Sequence, residues 1–149
     1  MNNNSRVAGM ENYVLLSNLF LKESTVSFLK PEEAAKGGDL TFAISAENIL
    51  RNSDFLSLDF IFKIDAENEN SKLFEIYCKF SASFMVKGGD ANLSGIDDSK
   101  LATICFSHSY QGIRGYIADT LRRMNLLVPI NSLPFAIDFE NQNITINPV

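Results

Sequence analysis

Two runs of alternation constrain this chain more than anything else in it. In the first, Leu56, Leu58, Phe60, Phe62 and Ile64 fall on one side of an extended backbone, and Ser57, Asp59, Lys63 and Asp65 on the other. In the second, Phe74, Ile76, Cys78, Phe80, Ala82, Phe84 and Val86 alternate with Glu75, Lys79, Ser81 and Ser83. Successive side chains of a strand leave on opposite faces, so a period of two separates apolar from polar only on a sheet with one buried face. The polar stretch Ala66 to Ser71 joins the runs, which predicts a long, twisted antiparallel hairpin. Its apolar face then needs a covering layer from elsewhere in the chain.

Residues Ser107 to Phe139 supply that layer. Ile113, Ile117, Leu121 and Met124 recur at helical spacing with Tyr116 and Thr120 beside them, while Arg114, Asp119, Arg122 and Arg123 can face water. Leu101 to Phe106 is expected to begin the helical region, and Ser107 or Ser109 to cap it. Pro129 is expected to stop the helix, because the residue before proline is pushed out of the α region. Gly112 and Gly115 each cost about 1 kcal/mol against alanine inside a helix. Their expected use is the close approach of another backbone, from the sheet or from a second subunit.

The rest of the chain reads as more sheet. Tyr13 to Phe28 is apolar with shifting parity, which a long strand with a bulge near Asn18 or Glu23 reconciles. Lys30 to Gly38 is a connection in which Pro31 opens a turn and Gly37-Gly38 ends it. Leu40, Phe42, Ile44 and Ala46 alternate with Thr41, Ser45 and Glu47 as a half-buried strand, and Arg51 to Asp54 is a turn cluster. Gly88 to Lys100 reads as a loop. Ile130 to Phe139 is an apolar, proline-bearing extended segment, and Ile144 and Ile146 mark a short terminal strand. The expected fold class is α+β: a four-stranded antiparallel sheet with one long helix packed on it. It forms a single domain over residues 1–149, with a flexible arm at 1–11 and a divergent tail at 140–149.

Composition narrows the function. Hydrophobic residues at 46% and charged residues at 21% are those of a globular chain. A net charge of −5 argues against nucleic acid, whose phosphates demand a basic face. Met1 to Arg6 lacks the basic start and apolar run of a secretory signal, so a cytoplasmic protein is expected, and no apolar run suits membrane insertion. Cys78 and Cys105 read as buried free thiols. His108, the one histidine, lies among Ser107, Ser109 and Tyr110 without the flanking pattern of a nucleophile elbow. Asp90, Asp97 and Asp98 do not have EF-hand spacing, and the pairs Gly37-Gly38 and Gly88-Gly89 lack a phosphate-loop context. No cofactor, no metal and no catalytic residues are expected, so the chain is read as a binding or assembly protein. Twelve Phe with no Trp, on a sheet that one helix cannot wholly cover, leave apolar surface for an oligomer interface or a ligand groove.

Four long antiparallel strands, a polar loop, a helix and a proline-bearing segment together resemble the SecB protein-export chaperone family. Leu21 to Phe28 is similar to the family's first strand, Phe84 to Gly88 to the end of its fourth, and Arg114 to Ile117 with Asn125 to Phe135 to its helix and exit. The likeness covers roughly residues 12–139. It implies a homotetramer, a dimer of dimers with helices between sheets, that holds unfolded polypeptide clients in apolar grooves and delivers them to the motor SecA. By position the groove would use Phe28, Leu40, Phe42, Ile44, Ile117, Leu121, Ile130, Leu133 and Phe135. The resemblance further places SecA docking at Glu23 and Glu75, and subunit contacts at Gly112, Gly115 and Tyr116. The chain departs from the family at its end, where an Asn-rich, strand-like stretch replaces the second helix and polar tail. That departure leaves open a chaperone dedicated to a toxin–antitoxin pair. From a different class, a structural or small apolar-ligand-binding α+β domain also stays open.

Overall fold

The computed structural model describes residues 13–30, 38–52, 54–69, 71–88, 95–124 and 146–148. Its elements are β1 (Val14–Phe28), β2 (Asp39–Asn52), β3 (Phe55–Asn68), β4 (Ser71–Val86), α1 (Asp98–Arg123) and β5 (Ile146–Pro148). The strands form one sheet in the order β1-β4-β3-β2-β5. Neighbours among the first four are antiparallel, and β5 pairs parallel with β2 at Ala46, Glu47 and Ile49. Strands β2, β3 and β4 are a meander, whereas β1 closes on the far side of β4.

The alternation in β3 and β4 does what its period requires. Phe60 stands opposite Phe80, Phe62 opposite Cys78 and Ile64 opposite Ile76, all on the face that carries the helix. Leu56, Leu58, Phe60, Phe62, Phe74, Phe80 and Phe84 are buried there, and with Phe106 of the helix six phenylalanines among the described residues enter the core. The hairpin is tighter than the polar stretch suggested. Pairing runs on to Asn68–Ser71, leaving a two-residue connection in which Glu69 adopts a positive φ of 46°. Gly38 enters β2 so close to β3 that a Cβ would lie 2.8 Å from the Glu67 carbonyl oxygen, so no larger residue fits.

Strand β1 slips register twice, between Leu16 and Asn18 and between Leu21 and Glu23, so both expected bulge positions are occupied. Each bulge returns the apolar side chains to the helix face: Leu16, Leu19, Leu21, Val26 and Phe28 all lie opposite core residues of β4. A further bulge in β2, between Glu47 and Leu50, was not legible in the sequence; it puts Asn48 at a positive φ of 56°.

The helix corrects two expectations. It begins at Asp98, three residues before the expected Leu101, because Asp97 caps it: the Asp97 carboxylate accepts from the Lys100 backbone N–H at 2.9 Å. Ser107 and Ser109, the expected caps, are mid-helix and donate to the carbonyls of Ile104 and Cys105. The helix closes at Met124, and the expected stop at Pro129 lies outside the described residues. At 26 residues, α1 is about 39 Å long, against about 15 Å across four strands, so it crosses the sheet obliquely. Its start is tied to β2, where Arg51 donates to the Ile96 carbonyl and pairs with Asp98. Phe106 packs edge-on to Phe60 at 5.2 Å in the middle, and Tyr116 packs on Phe80 at 5.5 Å toward β1.

Candidate functional site

At the hairpin end the apolar face of the sheet is buried across β3 and β4 and open only along its edges, as the border of an apolar floor. Two ranks of side chains cross all four strands there on the helix face. One runs Val26, Ile76, Ile64, Phe42 and the other Phe28, Phe74, Ala66, Leu40. The inner members are buried, while the outer ones are not: Val26 is 43% and Phe28 37% exposed, and Leu40 and Phe42 are half-buried at the other edge. Phe28 leans on Phe74 with ring centroids 6.1 Å apart, and Phe42 stands edge-on to Phe62 at 6.2 Å. Aromatic rings packed on one side and open on the other are pre-positioned, so a partner that buries them meets little ordering cost.

Tyr116 marks the border between this floor and the part of the sheet under the helix. Its ring rests on Phe80 and its hydroxyl donates to the Ser24 hydroxyl at 2.9 Å, one rank from Val26. Ile44 lies in that Ser24 rank and is buried. Ile117 and Leu121 are buried too, so they serve the core from which the floor extends. Ile130, Leu133 and Phe135 lie outside the described residues. Leu16, Leu21 and Val26, absent from the residues expected to form the groove, continue the exposed apolar stripe along β1. The bulges hid them, since a parity that shifts mid-strand cannot be assigned to one face from sequence.

The two glycines of α1 differ. A Cβ on Gly112 would sit 2.8 Å from Leu19 Cδ2, so its close neighbour is β1 of the same chain. Gly115 is exposed with nothing within 4 Å of an added Cβ.

The outer face of the sheet carries a charged cluster at its centre, with Phe20, Ile61 and Tyr77 around it. Asp59 is buried among Lys22 at 3.1 Å, Asn48 at 2.8 Å and Lys79 at 4.0 Å. Lys22 and Asn48 are residues at the bulges of β1 and β2, so the two edge irregularities aim their side chains at one carboxylate. Burial raises its pKa, but hydrogen bonds from Asn48 and Lys22, with the Lys22 charge, outweigh burial and hold Asp59 below the ordinary carboxylate range. Lys79 also pairs with Glu47 at 2.8 Å. Glu23 stands opposite Lys79 on this face, and Glu75 is ion-paired with Lys72.

Nucleophilic chemistry finds no support in these groups. Burial raises the Cys78 thiol to about 11, with a Ser24 hydrogen bond opposing it, and burial raises Cys105 as well. The hydroxyls beside His108 are engaged with helix carbonyls. Among the described residues no group of His, Cys, Asp or Glu is placed to hold a metal, and no helix is long and apolar enough to cross a membrane.

The chain matches no protein-family profile and no curated protein. Among solved structures it is similar to the SecB-like chaperone of Mycobacterium tuberculosis in complex with a ChAD peptide from the HigA1 antitoxin. That likeness has a TM-score of 0.57 at 16% identity, over 83% of this chain and 91% of that one. The fold is SecB-like. A more distant match is a Streptococcus agalactiae protein of unknown function, at 12% identity over 74% of this chain and 82% of that one, with a TM-score of 0.38. A SecB-like fold accounts for the long β1 on the far side of β4, and for a helix that lies across one sheet face.

Proposed function

We propose that this protein is an ATP-independent holdase that binds unfolded polypeptides on the apolar floor of its SecB-like sheet. The observation that carries the reading is the rim of that floor, with Val26 and Phe28 exposed on β1 and Leu40 and Phe42 half-buried on β2. A shallow apolar surface suits weak binding of many extended segments, and it needs no nucleotide to release them. The active form is a homotetramer in the cytoplasm, assembled through α1 with Gly115 and Tyr116 at the contact. Phe60, Phe62, Phe74, Phe80, Phe84 and Phe106 interdigitate in the core, which favours this reading over a closed ligand pocket lined by the Phe surplus.

Handover to SecA would use Glu23 and Glu75 on the outer face. The antitoxin peptide held by the mycobacterial chaperone favours a second client assignment, an apolar segment of an antitoxin. Either client would meet the same floor. Substituting Val26→Asp together with Phe42→Asp places charge on both rims, at exposed Val26 and at Phe42, which is half-buried against Phe62. The double variant is expected to keep its far-ultraviolet circular dichroism and to lose at least tenfold in affinity for a permanently unfolded polypeptide. Undiminished affinity would remove the floor as the client site.

A further inference from the structure

The outer face is not polar throughout. At the end away from the β3–β4 hairpin, Leu15 stands opposite Met85, and Met85 opposite Phe55; Leu50 lies diagonally across from Phe55 on β2. All four point away from α1, and they are 53%, 58%, 41% and 52% exposed. Ser57 and Ser83 pave the next rank, so the apolar side chains rise from a low floor. The Asp59 cluster follows and bounds the rank with charge on β3 and β4, while on β1 the exposed Phe20 stands opposite Ser81.

We infer that this rank is a second polypeptide-binding surface, and that it takes a short, extended apolar segment of an unfolded chain. Its size selects that occupant. Four half-exposed side chains offer on the order of 400 Å² of apolar surface, well short of the roughly 800 Å² per partner of a stable protein interface. A second folded copy would therefore not be held here. The rank spans about 15 Å across four strands, and alternate side chains of an extended peptide recur about every 7 Å. A five-residue stretch with apolar residues at its first, third and fifth positions matches that span. Flexible Met85 at the centre adapts to different sequences. The surface lies behind the sheet from the floor already described, so one long client can occupy both, and linked weak sites raise the overall affinity. The inference rests on the holdase reading for its choice of partner.

Reduced, carboxymethylated α-lactalbumin carrying a fluorophore serves as the probe, titrated by anisotropy without nucleotide. The Phe55→Ser/Met85→Ser variant is expected to bind about tenfold more weakly than wild type, with unchanged mass and circular dichroism. Leu50→Ser alone, on an edge strand, is expected to weaken binding about threefold and guards against a folding defect in the double variant. A photo-crosslinking residue in place of Met85 is expected to capture the probe. Wild-type affinity in both variants, while Val26→Asp/Phe42→Asp loses binding, overturns this surface and leaves the holdase reading intact. A drop in the variant's mass makes a second copy the occupant and overturns it too. Wild-type protein that binds no probe overturns both readings.

Discussion

Asp59 shows how a single side chain can be costly and still hold a structure in place. A buried carboxylate stays charged only where partners replace its water, and here Lys22, Asn48 and Ser81 do so. Because its pKa is lowered in the folded state, its contribution is present above the unfolded value of about 4. That contribution is lost as pH falls through the lowered folded value. Asp59→Asn keeps the volume and removes the charge, and is expected to destabilise the chain by about 1–2 kcal/mol at pH 7. Urea midpoints measured at pH 7 and pH 3 check the sign: wild type and variant should draw together on acidification. A gap that stays constant would mean that the charge of Asp59 is not what the cluster stabilises. Nothing in the sequence pointed to this cluster, because its members come from four strands and two of them are reached only through bulges.

At the scale of elements, the caps and bulges decide where the helix and strands lie. Asp97→Ala removes the N-cap of α1 and is expected to cost about 1 kcal/mol, read from thermal or denaturant unfolding. Ser107→Ala and Ser109→Ala, which touch no cap, should cost less than Asp97→Ala. The alternation that defines β3 and β4 was plain in the sequence, since Leu56 to Ile64 and Phe74 to Val86 follow one parity throughout. The helix was clearest from the stripe Ile113, Ile117, Leu121 onward, with its start expected at Leu101 to Phe106. Ser99 read as loop and Ser107 and Ser109 as caps, whereas all three lie within the helix, Ser107 and Ser109 bonding back to its carbonyls. The candidate site was partly legible. Phe28, Leu40 and Phe42 do lie on its rim, whereas Ile44, Ile117 and Leu121 are buried, because an apolar residue in a sequence does not say which side of its layer stays open. Val26 escaped selection for the opposite reason, since two register shifts precede it.

For the whole molecule, the described surface carries large exposed apolar side chains on both faces of the sheet. On the helix side they lie along β1 and at the floor, and on the outer side at the Leu15–Met85–Phe55 rank. A homotetramer would cover part of the helix side. Gly115→Phe is the direct probe of that seam, since the position has open space in the single chain. Light scattering is expected to give about 66 kDa for four copies of the 16.6 kDa wild-type chain, and a lower mass for the variant, with the fold retained. An unchanged mass would move the seam away from Gly115. Assembly and client binding are separable claims, and client binding is the central one. Its most direct measurement is light scattering by a chemically denatured client diluted into this protein with no nucleotide present. Aggregation suppressed in proportion to the protein added, up to a fixed ratio, is the predicted result, and a client that aggregates at the same rate with and without it would contradict the account.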